Sequence, residues 1–164
     1  MCLATVIAVL INNIKKQEEM LKLTIDIDFP SLNHVINETK KGGRGKSYSK
    51  IKKTQTTNVW LLCNNQYKAQ GSPVFKDNVM FLFVWHSKKH KNGQVNDPDN
   101  LEFSVKFILD GLNKLGVFPD DSYKYTSGQK IHSHKLSEKP FVELYVRERS
   151  EELENQIIEL FLNQ

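Results

Sequence analysis

Residues 97–121 read DPDNLEFSVKFILDGLNKLGVFPDD, and this stretch has the clearest pattern in the 164-residue chain. Apolar side chains recur through it at helical spacing, at Leu101, Val105, Ile108, Leu109, Leu112 and Leu115. Asp97 or Pro98 suits the start of a helix, and Gly116 suits its end. The spacing therefore predicts one amphipathic helix from the Asp97–Pro98 step to Leu115.

Carboxylates lie at both ends of this predicted helix. Asp97 and Asp99 are at its first turn, and Asp120 and Asp121 follow its last one. Carboxylates that a fold brings together repel one another unless a cation joins them, and Mg²⁺ prefers oxygen ligands of this kind. The pattern indicates a divalent-metal site. A calcium loop is excluded because its central glycine and its final glutamate are missing.

A polar stripe lies opposite the apolar face of the same predicted helix. At about 100° per residue, Asp99, Lys106 and Asp110 fall close to one line. Lys106 and Asp110 are one turn apart and can pair. For these two residues alone, a solvated ion pair is the simpler interpretation, but it does not account for the four aspartates at the helix ends.

These residues resemble the motifs of the RusA family of Holliday junction resolvases. The family carries Asp-x-Asp-Asn-Leu, then Lys, then Asp-x-Leu-Asn, then a hydrophobic residue and Asp-Asp. The matching positions here are Asp97, Asp99, Asn100, Leu101, Lys106, Asp110, Leu112, Asn113, Asp120 and Asp121. Lys106 matches if about one extra helical turn follows Leu101, which would keep it on the same helix face. A weaker match covers residues 29–53.

The resemblance implies a homodimeric, Mg²⁺-dependent endodeoxyribonuclease that cuts four-way DNA junctions, with Mn²⁺ as a substitute metal. It implies that Asp97, Asp99 and Asp121 are catalytic and bind the metal. Lys106 would be the fourth catalytic residue, and Asp120 and Asp110 would orient the ligands from outside the coordination sphere. The expected fold is α+β and RusA-like: a single domain with a small mixed β-sheet packed by about three helices.

Positive charge is clustered in this chain, whose net charge is +4 and whose isoelectric point is near 9.0. Lysines and glycines concentrate in residues 31–53, a composition typical of a mobile loop that follows phosphates or of a disordered, solvated loop. Beside a metal-nuclease motif we favour DNA contact. The candidate DNA-binding residues are Asn33, Lys40, Lys41, Arg44, Lys46, Lys50, Lys52, Lys53, Lys88 and Lys89.

Alternation and apolar runs predict the strands. Residues 21–29 alternate cleanly and predict a half-buried strand, and residues 78–85 predict a central one because nearly all are apolar. Residues 122–133 and 140–147 predict two more. Residues 66–77 are expected to form a loop.

A helix is predicted over residues 49–64. Its inward side chains are expected to be Ile51, Val59, Leu62 and Cys63. His132 and His134 share a strand face, which alone is weak evidence for a metal. Ser150 is expected to cap a last amphipathic helix.

The length favours one domain, with residues 1–19 as an N-terminal extension or extra helix and residues 20–164 as the endonuclease domain. The apolar run 2–11 is shorter than the roughly 20 residues that span a bilayer, so no membrane contact is expected. Two cysteines imply no disulfide framework and suit a reducing, cytoplasmic location. A phage or prophage origin is typical of the family.

Three alternatives stay open. The first is a metal-dependent nuclease that acts on flaps or forks. The second is a non-catalytic DNA-binding module whose acidic cluster is structural. The third is a scaffold protein whose carboxylates bind a stabilising cation. The sequence shows no Ser–His or Cys–His arrangement for covalent catalysis.

Overall fold

The structure is a computed structural model, and it describes residues 20–41, 46–76, 79–89, 98–120, 122, 125 and 128–148. In these ranges the strands are β1 (Leu21–Ile25), β2 (Val79–Ser87), β3 (Lys130–Leu136) and β4 (Phe141–Glu148). The helices are α1 (Leu32–Lys41), α2 (Lys46–Ala69), the short α3 (Pro98–Glu102) and α4 (Val105–Leu115). The predicted α+β domain, with a small mixed sheet and about three helices, is confirmed. The predicted extension over residues 1–19 and the last helix lie outside the described residues.

The strands form one sheet in the order β1-β4-β2-β3. β4 pairs antiparallel with both β1 and β2, and β3 pairs parallel with β2. β2 is buried along almost its whole length because its sequence is nearly all apolar, whereas β1 alternates between buried and exposed residues as predicted. The sheet therefore has a two-sided apolar centre and a half-exposed edge.

One face of the sheet forms the main core with α2 and α4. Alternate residues of β2 and β4 meet these helices, since side chains of a strand point to opposite faces in turn. The fully buried contributors include Phe81, Phe83, Leu144, Val146, Val59, Cys63, Phe107, Ile108 and Leu112. The opposite face of β2 is also buried, at Met80, Leu82 and Val84.

Two glutamine side chains of α2 cover the outer edge of β1. The Gln70 amide accepts from the Lys22 N–H at 3.0 Å and donates to the Lys22 carbonyl at 2.7 Å. Gln66 makes the same two bonds with Thr24, each at 2.8 Å. One helical turn and two strand residues have similar lengths, so positions 66 and 70 match alternate residues of β1. Both amides occupy the places where another strand would pair, so this edge is protected.

The helix predicted over residues 98–115 is not continuous. A turn at Phe103 and Ser104 divides it into α3 and α4, and the Ser104 amide donates to the Leu101 carbonyl at 2.9 Å. The predicted end is confirmed, because Gly116 has φ of +84°, the left-handed conformation that glycine adopts readily. Helical periodicity consequently cannot relate side chains of α3 to those of α4.

The buried face of α4 also differs from the predicted one. Ile108 and Leu112 of α4 are buried as expected, as is Leu101 of α3, but Phe107 is fully buried too, and Val105, Leu109 and Leu115 are only partly buried. The face is rotated toward Gly111, since the lack of a side chain there lets α2 approach closely. A Cβ at this position would lie 2.5 Å from Cγ1 of Val59.

The basic segment 31–53 is mostly helical, so the prediction of a mobile loop is wrong for α1 and for the start of α2. Lysine has good helix propensity, and the glycines are confined to residues 42–45, outside the described ranges. α2 is also longer than predicted and includes residues expected to be in a loop. Its buried face follows Val59, Cys63 and Tyr67, so Leu62 lies off that face and is 40% exposed, contrary to prediction.

Several strand boundaries differ from the predicted ones. β1 ends at Ile25 rather than at residue 29, β2 continues to Ser87, and β3 spans Lys130–Leu136 rather than residues 122–133. Pairing explains the bounds of β2 and β3, because Lys130 lies opposite Phe81 and Leu136 lies opposite Ser87. None of the helices within the described ranges is long and apolar enough to cross a bilayer.

Replacing Gly111 with alanine is expected to lower the free energy of unfolding by about 1–3 kcal/mol, because the new methyl group overpacks against Val59. The change should be visible in urea denaturation followed by circular dichroism. In V59A, which leaves room for that methyl group, G111A should cost clearly less. Equal costs in the two backgrounds would contradict the proposed packing of Gly111 on Val59.

Candidate metal and nucleic-acid site

α3 presents Asp99 to solvent while its other side is anchored in the core. Asp99 lies in the first turn and is exposed, whereas Leu101 is only 6% exposed and packs against the core. Lys106 is exposed on α4. The other two carboxylates of the predicted metal triad, Asp97 and Asp121, lie outside the described residues, so the triad stays a prediction.

Asp120 follows α4 and is exposed. Its Oδ1 accepts a hydrogen bond from the Ser122 N–H at 2.7 Å, which fixes the local turn. Among the described residues, no group of three or more histidine, cysteine, aspartate or glutamate side chains is arranged to hold a metal ion. A metal site that includes Asp99 would therefore have to draw on residues outside the described ranges, and the predicted triad names Asp97 and Asp121.

Asp110 forms an ion pair with a different lysine from the one expected. Its Oδ2 lies 2.8 Å from Nζ of Lys52, across the contact between α2 and α4. The described residues include no ion pair between Asp110 and Lys106, because the long helix α2 brings Lys52 closer. Asp110 therefore links the two helices, and Lys52 is less available to a phosphate.

Most of the candidate DNA-binding side chains are on the surface. Those exposed are Asn33, Lys40, Lys41, Lys50, Lys53, Lys88 and Lys89. Lys41 pairs with Glu38 at 3.1 Å, so it is less available to a phosphate. Arg44 and the side chain of Lys46 lie outside the described residues. Lys50 and Lys53 are one turn apart and form a basic surface on the first half of α2.

A cluster that sequence reasoning missed joins α3 to the sheet. His134 Nε2 lies 3.0 Å from Oε1 of Glu102, so the ring can donate a hydrogen bond to this carboxylate. His132 lies on the same strand face, and its Nδ1 is 3.6 Å from the same oxygen, too far for a hydrogen bond. Instead, Nδ1 of His132 accepts from Nε1–H of Trp85 at 3.1 Å.

The shared strand face of His132 and His134 was visible in the sequence, but their partner was not. Glu102 is some 30 positions away, and only the folded chain places it over β3. The cluster holds the helix that carries Asp99 against β3. Glu102 is therefore a positioning candidate for the predicted site.

The environment of His132 favours its neutral form. Burial lowers its pKa, and nearby His134 and Lys130 lower it further, although Glu102 acts in the opposite direction. A neutral ring with an available lone pair on Nδ1 is also what the hydrogen bond from Trp85 requires. The folded state therefore resists protonation of His132 more than the unfolded chain does.

The cysteine within the described ranges is not a nucleophile. Cys63 is fully buried in the core, and burial raises the pKa of its thiol to about 12. A thiol that is neutral at physiological pH and sealed from solvent cannot attack a phosphodiester.

Because the folded-state pKa of His132 is lowered from its ordinary value of 6.5, the unfolded chain binds more protons just below that pH. The stability contributed by neutral His132 is therefore complete above pH 6.5 and decreases as the pH falls. The free energy of unfolding, measured by urea denaturation, should decrease less between pH 7.5 and pH 5.5 for H132Q than for the wild type. H34Q changes an exposed histidine and is the control. An unchanged decrease in H132Q would refute this.

Comparison with models of known protein families finds no match to this chain. No curated protein matches it either.

Proposed function

We propose that this protein is a Mg²⁺-dependent, structure-specific endodeoxyribonuclease that resolves four-way DNA junctions by paired phosphodiester hydrolysis, as the resemblance to RusA resolvases implies. The observation that carries the proposal is the position of the acidic motif. Asp99 is exposed on α3, two residues from a buried anchor at Leu101, and the Asp120-Asp121 pair begins on the surface after α4.

Convergence of the carboxylates is compatible with the dimensions of the fold. Phe118 packs edge-to-face on Phe81, with ring centroids 5.9 Å apart, near the start of β2. Glu102 contacts His134, whose strand partner is Trp85. On β2, Phe81 and Trp85 are four residues apart, which corresponds to about 13 Å along the strand. The three residues from Phe118 to Asp121 can span about 10 Å, and the side chains extend this reach.

The donor set suits the metal. Three carboxylates, at Asp97, Asp99 and Asp121, offer hard oxygen ligands, which Mg²⁺ prefers, and Asp99 is accessible to solvent. When bound, Mg²⁺ would supply Lewis-acid polarisation of the phosphate and would make a water easier to deprotonate. No covalent enzyme intermediate is required.

Lys106 has the properties expected of a phosphate-neutralising group. It is exposed on the first turn of α4 and, among the described residues, forms no ion pair with Asp110. Its ammonium group can therefore approach the scissile phosphate and stabilise the negative charge that develops on the phosphoryl oxygens.

Paired cutting of a junction requires two sites, and a twofold homodimer supplies them. The Gln66 and Gln70 amides occupy the outer edge of β1, so dimerisation through this edge would have to displace four hydrogen bonds. Another surface is therefore the better candidate for the twofold contact.

A second candidate function is a non-catalytic DNA-binding module. The exposed Lys50 and Lys53 on α2 favour it, because they can contact phosphates without any help from the carboxylates. Cutting of a synthetic junction in Mg²⁺ selects the nuclease, and a mobility shift without cutting selects the binding module. Linear duplex and flap substrates in the same assay define the substrate class.

Substituting Asp99 with asparagine should lower Mg²⁺-dependent junction cutting by about 100-fold or more, because a metal ligand is removed. Junction binding should be unchanged or tighter, since one negative charge near the DNA is removed. D26N, which alters an exposed aspartate after β1, should cut normally. The measurement is a gel assay with labelled arms. Normal cutting by D99N would refute the assignment.

Replacing Lys50 and Lys53 together with alanine should weaken binding to all DNA sequences alike. It should also flatten the dependence of log K on log salt concentration by about 0.9 for each phosphate that the two lysines neutralise in the wild type. K68A changes an exposed lysine near the other end of α2 and should leave the slope unchanged. Fluorescence anisotropy between low and moderate salt measures both. Identical slopes in the double variant and K68A would show that Lys50 and Lys53 do not contact DNA phosphates.

A further inference from the structure

A cleft of about 240 Å³ lies at the end of β2, beside the acidic helix. Its walls come from the segment after β1, the end of β2, the start of β4 and α3. Leu101, two residues after Asp99, forms part of the wall. The cleft is smaller than the roughly 300–1,000 Å³ of pockets that hold drug-sized ligands, so a single small ring system suits it.

The walls of the cleft are rich in aromatic rings. Phe29 and Trp85 meet edge-to-face, with centroids 6.2 Å apart. Phe141 and His86 lie flat against each other, with centroids 3.9 Å apart and planes 8° from parallel. His86 is held in place through Nε2, which is 3.2 Å from Oε2 of Glu143. Phe29 and Trp85 are only 4% and 2% exposed and close the inner wall of the cleft, whereas Phe141 and His86 are partly exposed and can contact another planar ring.

The rim of the cleft is charged. Lys88 and Lys89 line it and are exposed, so they can contact a phosphate that enters with its base. Asp28 lines it too and is exposed, and its carboxylate can accept a hydrogen bond from the exocyclic amino group of a base. Aromatic walls combined with lysines at the rim match the two parts of a nucleotide.

We propose that this cleft binds the base of one unpaired nucleotide, which places the adjoining phosphate beside α3 and the acidic motif. A base inside a duplex is stacked and cannot enter, so only a nucleotide that has left the stack fits. The proposal rests on the DNA-directed function proposed above and specifies its substrate: branched DNA with an unstacked base next to the scissile phosphate.

Binding is tested without metal, so that no cutting occurs. The probes are an eight-nucleotide single strand of deoxycytidines and a strand of equal length whose sugars carry no bases. The protein is W60F, in which the remaining tryptophan, Trp85, lines the cleft. The deoxycytidine strand should bind about tenfold more tightly than the abasic strand and should change the fluorescence of Trp85.

Phe141 is the residue whose replacement should remove this difference. F141A should lower affinity for the deoxycytidine strand about tenfold and leave the abasic strand unaffected. F141L keeps the apolar volume but not the flat ring, so it should have the same effect as F141A. It is the control for a loss of binding caused by misfolding of F141A. L136A changes a leucine that is 59% exposed on β3 and should preserve the difference.

Equal binding of the two strands by W60F, or an equal effect of F141L on both, would overturn the proposed base site. Junction cutting by the wild type in Mg²⁺ is measured in parallel. Cutting without base preference refutes the cleft alone. Base preference without cutting supports the cleft and refutes the nuclease.

Discussion

The close contact of α4 with α2 is the constraint on which the candidate site depends. Gly111 permits it, since any larger side chain would meet Val59, and the ion pair of Asp110 with Lys52 lies across the same contact. A partly exposed ion pair of this kind adds little stability, so apolar packing contributes most of the stability of the contact. With α4 fixed in this way, Lys106 faces solvent, and the chain leaves the helix at Gly116 toward the Asp120-Asp121 pair.

α3 is held separately, and by different chemistry. Leu101 anchors it through apolar packing, and Glu102 anchors it to β3 through His134. The turn at Phe103 and Ser104 makes the two helices independent segments, so each needs its own attachment. The two attachments leave Asp99 on the surface, close to a cleft with aromatic walls and a lysine rim.

Local patterns predicted the parts of the structure that local physics determines. The alternation of β1, the apolar run of β2 and the helix end at Gly116 were all visible in the sequence. Long-range contacts determined the rest. Nothing near Gln66 and Gln70 shows that their amides cover β1, and nothing near Asp110 shows that Lys52 is its partner. The predicted triad of Asp97, Asp99 and Asp121 lies at the two ends of residues 97–121, the stretch in which the local sequence pattern is clearest.

The central claim is that Asp97, Asp99 and Asp121 together form a binding site for divalent metal. Electron paramagnetic resonance of Mn²⁺ tests it directly, because free Mn²⁺ gives a strong signal that weakens on binding. The wild type should bind Mn²⁺, and Mg²⁺ should displace it. D97N, D99N and D121N should each bind much more weakly, while D26N should bind like the wild type. Unchanged Mn²⁺ binding in all three variants, or none in the wild type, would contradict the account.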